Sequence, residues 1–550
     1  MSRIAFISCL WRERFIEEIG VCYLKSILKE KGHEVKIFYK WPNDQEKVFY
    51  DVVEFSPDIV GFSLSHKHTG IKPLLTGADI IKTKLPNTHI TCGGVFATFN
   101  AQKILEKCEN LDSVMLGEGE PIIGQFVDII ETNENLHEID GLVYRDKGGI
   151  IKVNPKTKLI MDLDSIKFPD REYIDEYMKD TPMKTINMVG SRGCHGKCHF
   201  CNVPSMYSVY GEQKKWRGRS VKNIVDEIEY FNKEKNVLIF NFIDSSFEDA
   251  DPIEDGKNKL RTFANEILRR KLKIFFSCCF RAESFKDNEK DNELISLLVK
   301  SGLYNILIGV EAGNKRALES FAKRANVDDN LNVLKLFTKY PVFISKGFIM
   351  FTPHSNYENL KENLEFAHSI KLTEELIYLT TITAVFDGTP FVKDLQNEGL
   401  LDINYDWENE YPFKWVDENA RLLAFEMMNI RKEFMKELEF SQYFGRSNII
   451  LERVAGDKIY KEMQYRKWKT NQLREKMGVN SYVFFDKCLL LLKDKWNQEK
   501  YEDIKTEYIY GKFVDIIEEM DLETKKFNRL LKQNGFEIDS LIQNYFAKES

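Results

Sequence analysis

Gly193-Cys194-His195-Gly196-Lys197-Cys198-His199-Phe200-Cys201 sets three thiols at C-x3-C-x2-C spacing on one loop. Thiolates are soft donors that favour zinc or iron–sulfur clusters. A structural zinc ion takes four ligands, usually from two separated Cys or His pairs, so His195 or His199 would have to complete it. A ferredoxin-type run brings a fourth cysteine to its cluster, and none lies near this loop. Three cysteines would instead hold three irons of a [4Fe–4S] cluster and leave the fourth iron open to a small molecule. A zinc knuckle and incidental core cysteines are the competing readings of the same residues. Gly190, Gly193 and Gly196 leave the loop free to turn its thiols toward one centre.

With the aromatic Phe200 ahead of its last cysteine, the loop resembles the signature of the radical S-adenosylmethionine (radical SAM) enzymes. The resemblance implies that Cys194, Cys198 and Cys201 are metal ligands and that SAM chelates the open iron. An electron from the cluster then splits SAM to methionine and a 5′-deoxyadenosyl radical.

The loop needs a scaffold, and residues 184–395 supply an alternation of strands and helices. Strands are expected at 185–189, 237–243, 274–279, 306–310, 343–350 and 377–383. Helices are expected at 221–233, 255–270, 292–301, 327–339 and 356–369. Six such units make an incomplete parallel barrel, with its site at the carboxyl ends of the strands. The radical SAM resemblance extends to those ends. It implies Asp244 for the SAM amino group, Arg281 for the SAM carboxylate and Glu311, within Gly309-Val310-Glu311-Ala312-Gly313, for the ribose. Gly347 and Ile349 fall in the segment resembling the adenine contact. Phe351-Thr352-Pro353-His354 departs from the family run there.

The first part of the chain alternates in the same way, with strands at 4–8, 35–39, 59–63, 90–92 and 113–116 and a helix at 16–31 ending at Gly32. In an open parallel sheet, ligands sit beyond the carboxyl ends of the strands. There stand Ser63-Leu64-Ser65, Gly93-Gly94 and Gly117-Glu118-Gly119-Glu120. The spacing of Gly20, Ser63 and Gly93-Gly94 resembles the cobalamin-binding domain of methionine synthase and related mutases. The resemblance implies cofactor contacts from Glu17, Gly20, Ser63, Ser65, His66, Gly93, Gly94, Gly117 and Glu118. Glu17 occupies the family's cobalt-ligating histidine position, so no imidazole can ligate from there; His66 or His68 is the alternative lower ligand.

The expected plan is α/β. A doubly wound, Rossmann-like cobalamin-binding domain (1–135) leads through a connector with a β-hairpin (136–183) to a partial (β/α)6 TIM-like radical SAM core (184–395). A mainly helical C-terminal region (396–550) follows. The net charge of −7 leaves no electrostatic footprint for nucleic acid, and no apolar run is long enough to span a bilayer. Ten cysteines in 550 residues are too sparse for a disulfide scaffold and point to a reducing cytoplasm. Together the resemblances imply an enzyme that methylates an unactivated carbon, or phosphinate phosphorus, through methylcobalamin and a 5′-deoxyadenosyl radical. The substrate would be a small molecule or peptide, and flavodoxin or ferredoxin the electron donor. Oxidation, cyclisation or ring contraction on the same cofactors is a second expectation, and a non-catalytic iron–sulfur or zinc protein a third.

Overall fold

The structure, a computed structural model, describes residues 1–10, 17–42, 44, 46–65, 67–132, 135–178, 184–211, 216–250, 252–402, 411–455, 459–493 and 496–533. Two sheets organise it. In the first, β1 (Arg3–Cys9), β2 (Glu34–Lys40), β3 (Ile59–Ser63), β4 (His89–Gly93) and β5 (Ser113–Met115) run parallel in the order β2-β1-β3-β4-β5. The strands are apolar on both faces because helices cover both. Val60, Phe62 and Ile90 pack with Val48, Phe49 and Ile104 on one side, while Ile4, Phe6 and Ile59 pack with Leu28, Ile123 and Phe126 on the other.

The expected hairpin forms as β6 (Leu142–Arg145) and β7 (Ile151–Val153), but it does not stand apart as a connector. β6 pairs antiparallel with β5 and extends the first sheet to seven strands. The physical reason is β5 itself: with three residues and a buried face, its open edge would otherwise leave backbone groups unpaired.

The second sheet is parallel, with β8 (Lys184–Met188), β11 (Val237–Phe242), β12 (Phe275–Arg281), β13 (Leu303–Glu311) and β14 (Phe343–Phe348) in the order β14-β13-β12-β11-β8. Between β8 and β11 a short antiparallel ribbon, β9 (Ser191–Gly193) and β10 (Trp216–Gly218), brackets the cysteine loop. Helices Val221–Lys235, Ile253–Arg269, Glu289–Lys300, Val327–Phe337 and Tyr357–Ser369 cover the outer face, close to the expected spans. Ser220 caps the first of these, accepting from the Asn223 N–H at 3.1 Å. A polar ladder lies inside the barrel. Asn241 joins Asn187 to Ser277, and Ser345 reaches Asn305 at 3.1 Å.

The sixth barrel strand does not form. Leu376–Thr380 is a 3-10 turn, and only a bridge between Phe351 and Ile382 marks the expected pairing. The C-terminal helices pack around this segment: Tyr460–Leu490 lies on helix Tyr357–Ser369 and on the turn Leu372–Glu374. Met463, Ile459, Leu451 and Phe527 close the far end of the barrel against Leu238, Phe275 and Tyr304.

Candidate functional site

The carboxyl ends of the two sheets face one another across a cavity of about 550 Å³. Its first-sheet wall includes Ser63, Ser65, Gly93, Gly94 and Gly117, and it runs down one sheet face past Gly61, Thr91 and Met115 toward Phe126. Its second-sheet wall includes Gly193 and Asn202, which flank the cysteine loop, and Asp244 at the end of β11. The glycines shape this slot. A Cβ on Gly61 would meet the Phe6 ring at 2.8 Å, and Gly94, at φ +108°, lies so close to Leu64 that a Cβ would stand 2.8 Å from its carbonyl oxygen. Gly20 has nothing within 4 Å of its missing side chain. A long apolar trench with small residues at its mouth is a cradle for a bulky flat ligand with a tail, and the residues present fit a corrin cofactor.

The cysteine loop is held from three directions. Asp249 accepts from the His195 N–H at 2.7 Å and pairs with its Nδ1 at 3.1 Å. The His199 N–H donates to the Phe321 carbonyl at 2.9 Å, and its ring meets Asp394 at 2.8 Å. Phe200 packs edge-on against Phe321, in an apolar cluster that also takes in Ile349. Cys194, Cys198 and Cys201 are partly exposed, whereas most of the other cysteines are buried core thiols. Burial pushes the Cys194 thiol up to about 12 and the Cys198 thiol to about 11. A metal must therefore displace their protons on binding. Among the described residues no three His, Cys, Asp or Glu side chains gather tightly enough to ligate one ion. Thiols that each bind a different iron of a cluster have no need to.

At the barrel mouth, Arg281 meets Asp249 at 3.1 Å through Nη2 and lies 3.6 Å from Glu283 through Nε, while its Nη1 is buried without a hydrogen-bond partner among the described residues. An unpartnered guanidinium donor beside the cysteine loop suits an incoming carboxylate. Glu311 adopts φ +62°, which folds its side chain back over Gly309. Gly347 is paired with Gly309, and a Cβ there would stand about 3.5 Å from the Glu311 carboxylate. Lys323 lies 3.4 Å from that carboxylate, with both side chains largely buried. Burial holds the Glu311 carboxyl above its ordinary range, and Lys323 partly offsets this.

Three expected cofactor contacts line the cavity and also have partners within the protein. Glu17 spends its oxygens on Arg171 Nε, at 2.6 Å, and the Asn187 N–H, at 2.7 Å, because it faces the second sheet. Glu118 is forked by Arg217, at 2.7 and 3.1 Å. Asp244 accepts from the Gly190 N–H at 2.9 Å and from Ser191 Oγ at 2.5 Å, closing the turn after β8. His66 and the side chain of His68 lie outside the described residues. The carboxylate that does meet the serine loop is Glu18, which accepts from Ser63 Oγ and, at 3.4 Å, from Ser65 Oγ. Sequence reasoning also passed over Asp249, Lys323, Arg192 and Arg217. Only the arginines carried a signal, since they flank the cysteine loop.

Two family models match the chain: "B12 binding domain" over residues 12–127 and "Radical SAM superfamily" over residues 188–367. An uncharacterized methyltransferase of Pyrococcus horikoshii is 25% identical over 443 residues, covering 79% of this chain and 89% of its own. The anaerobic magnesium-protoporphyrin IX monomethyl ester cyclase of Cereibacter sphaeroides is 28% identical over 365 residues, 63% of this chain and 55% of its own. The solved cobalamin-dependent S-adenosylmethionine radical enzyme OxsB, with aqua-cobalamin and S-adenosylmethionine bound, superposes at a TM-score of 0.72 and 19% identity. That match covers 100% of this chain and 83% of OxsB, and it speaks to the fold.

Proposed function

Because the chain belongs to the cobalamin-dependent radical SAM enzymes, with a [4Fe–4S] cluster, SAM and cobalamin as its cofactors, we propose that it is a methyltransferase acting on an unactivated carbon, or phosphinate phosphorus, of a small molecule or peptide. The observation that carries this reading is the single cavity bounded on one side by the serine and glycine loops and on the other by the flanks of the cysteine loop. When bound, the cluster and SAM supply a radical that takes hydrogen from the substrate, and cobalamin supplies the methyl group.

The protein's own part is placement and exclusion of water. Cys194, Cys198 and Cys201 hold the cluster, and Asp249 fixes the loop through His195. Arg281 offers its open Nη1 donor to the SAM carboxylate. Glu311, turned back over Gly309 and Gly347, accepts from the ribose hydroxyls, and Ile349 lies beside the adenine. Ser63, Ser65, Gly93 and Gly94 border the cobalamin tail, with Gly20 and Gly117 at the mouth. The electron donor is flavodoxin or ferredoxin, in a reducing cytoplasm. No helix among the described residues is long and apolar enough to cross a membrane.

The Pyrococcus methyltransferase supports methyl transfer, since its likeness runs through most of both chains. The cyclase supports a second reading, non-methylating oxidation or cyclisation, over a shorter share. One experiment separates them. Anaerobically reconstituted protein is given SAM carrying a labelled methyl group and candidate substrates taken from neighbouring genes. Label in the product upholds transfer; deoxyadenosine with unlabelled, rearranged product upholds the second reading.

A further inference from the structure

Arg192 and Arg217 stand directly opposite one another on the β9–β10 ribbon, a placement in which like charges repel. Both are answered from the other sheet. Glu118, on the loop after β5, is forked by Arg217 at 2.7 and 3.1 Å and lies 3.3 Å from Arg192. Arg192 also reaches Glu120 at 2.6 Å. The Glu118 N–H donates to the Tyr210 hydroxyl at 2.5 Å, and Lys156 Nζ donates to the Glu118 carbonyl at 3.0 Å. Arg217 is essentially closed off from solvent, and the two carboxylates are nearly so.

The same loop walls the slot, and Arg192 is two residues from Cys194. Side chains and backbone thus join the corrin side of the cavity to the segment that carries the thiols. Buried ion pairs seldom add net stability over apolar packing, but they fix register and geometry. We propose that Glu118, Glu120, Arg192 and Arg217 are positioning residues that set the separation and orientation of the iron–sulfur cluster relative to the corrin. Glu118, Glu120 and Arg192 also line the cavity, whereas Arg217 stands behind it and acts only through the loop it holds. The inference rests on the cofactor reading above.

The test uses the full chain loaded anaerobically with iron, sulfide and cobalamin. It measures magnetic dipolar coupling between the reduced cluster and cobalt(II) by pulsed electron paramagnetic resonance. The wild type is expected to give one narrow coupling. Glu118→Gln should keep four irons and one cobalamin per chain while the coupling broadens or shifts. Arg192→Lys, which keeps the charge toward Glu120, should return most of the wild-type coupling. A loaded Glu118→Gln protein with the wild-type coupling overturns the proposal. Should Glu118→Gln fail to fold, Glu120→Gln spares the Arg217–Glu118 fork and is judged by the same two outcomes. A wild type that takes up iron or cobalamin but never both overturns the cofactor reading, and this proposal with it. The two failures are therefore distinct.

Discussion

Arg171 Nε lies 2.6 Å from Glu17, and both side chains are almost wholly shut away from water. The same guanidinium reaches Glu227 at 2.8 Å, and Glu227 in turn meets Arg219 at 2.6 Å. Glu17 comes from the segment after β1, Arg171 from the stretch between the sheets and Glu227 from a barrel helix, so four buried charges bind the two halves together. Removing one partner strands the others without water. Arg171→Met is therefore expected to destabilise the fold by about 3–5 kcal/mol, read as a lower midpoint in urea with the slope unchanged. Glu17→Gln keeps an acceptor for Arg171 and should cost clearly less.

The cysteine loop makes a sharper prediction. With each thiol serving its own iron, as proposed, Cys198→Ser should leave a cluster with a weak third ligand and Cys198→Ala none. Iron retained after anaerobic reconstitution and desalting should fall from about four per chain to near zero in the alanine variant. SAM cleavage should fall with it by roughly 1000-fold or more, about 4 kcal/mol of lost activation. Cys279→Ala, a variant of a thiol beside the barrel mouth but off the loop, should leave iron content unchanged. Equal losses from Cys198 and Cys279 would sink the assignment.

Period and punctuation carried most of this fold. The βα alternation located each parallel strand of both sheets within a few residues. Where the sequence misled, the deciding partner was distant. The run 377–383 is as apolar as a strand, but Leu376–Thr380 winds into a 3-10 turn whose Tyr378 hydroxyl takes the Lys346 N–H of β14, so only the bridge to Phe351 remains. Glu17 and Glu118 stand where cofactor loops were expected, and nothing local says that Arg171 and Arg217 face them across the interface. Glu18, one residue from the position singled out, is the carboxylate that meets the serines. A helix start turns adjacent side chains to different faces, and only coordinates tell which faces the slot.

Glu311 is strained for its task. A non-glycine residue at φ +62° costs roughly 1 kcal/mol of backbone energy. The conformation brings its carboxylate over Gly309, where it would otherwise point out of the barrel. Glu311→Gly should relieve that strain but strands the largely buried Lys323 without its carboxylate, so folding stability should be unchanged or lower. SAM affinity, measured by calorimetry on the cluster-loaded protein, should fall at least tenfold. Lys323→Met should weaken SAM binding less, since Lys323 only holds the carboxylate in place. A Glu311→Gly protein that binds SAM normally would falsify the ribose assignment.

Glu18 yields a prediction in pH. Burial raises its carboxyl above the usual value near 4.5, against the lowering effect of Ser63 and Ser65, so the folded protein holds this proton more tightly than the unfolded chain does. Below 4.5 both states are protonated and the group is neutral toward stability. As pH rises past 4.5 the unfolded chain ionises first, and folding is progressively disfavoured until the raised folded value is passed; above it the penalty is constant. Glu18→Gln cannot ionise and still accepts from both serines. It should therefore be more stable than wild type at pH 8 by urea denaturation, with the advantage shrinking to nothing as pH falls toward 4.5. An advantage that grew on acidification would mean that the folded protein keeps Glu18 charged beneath the serine loop.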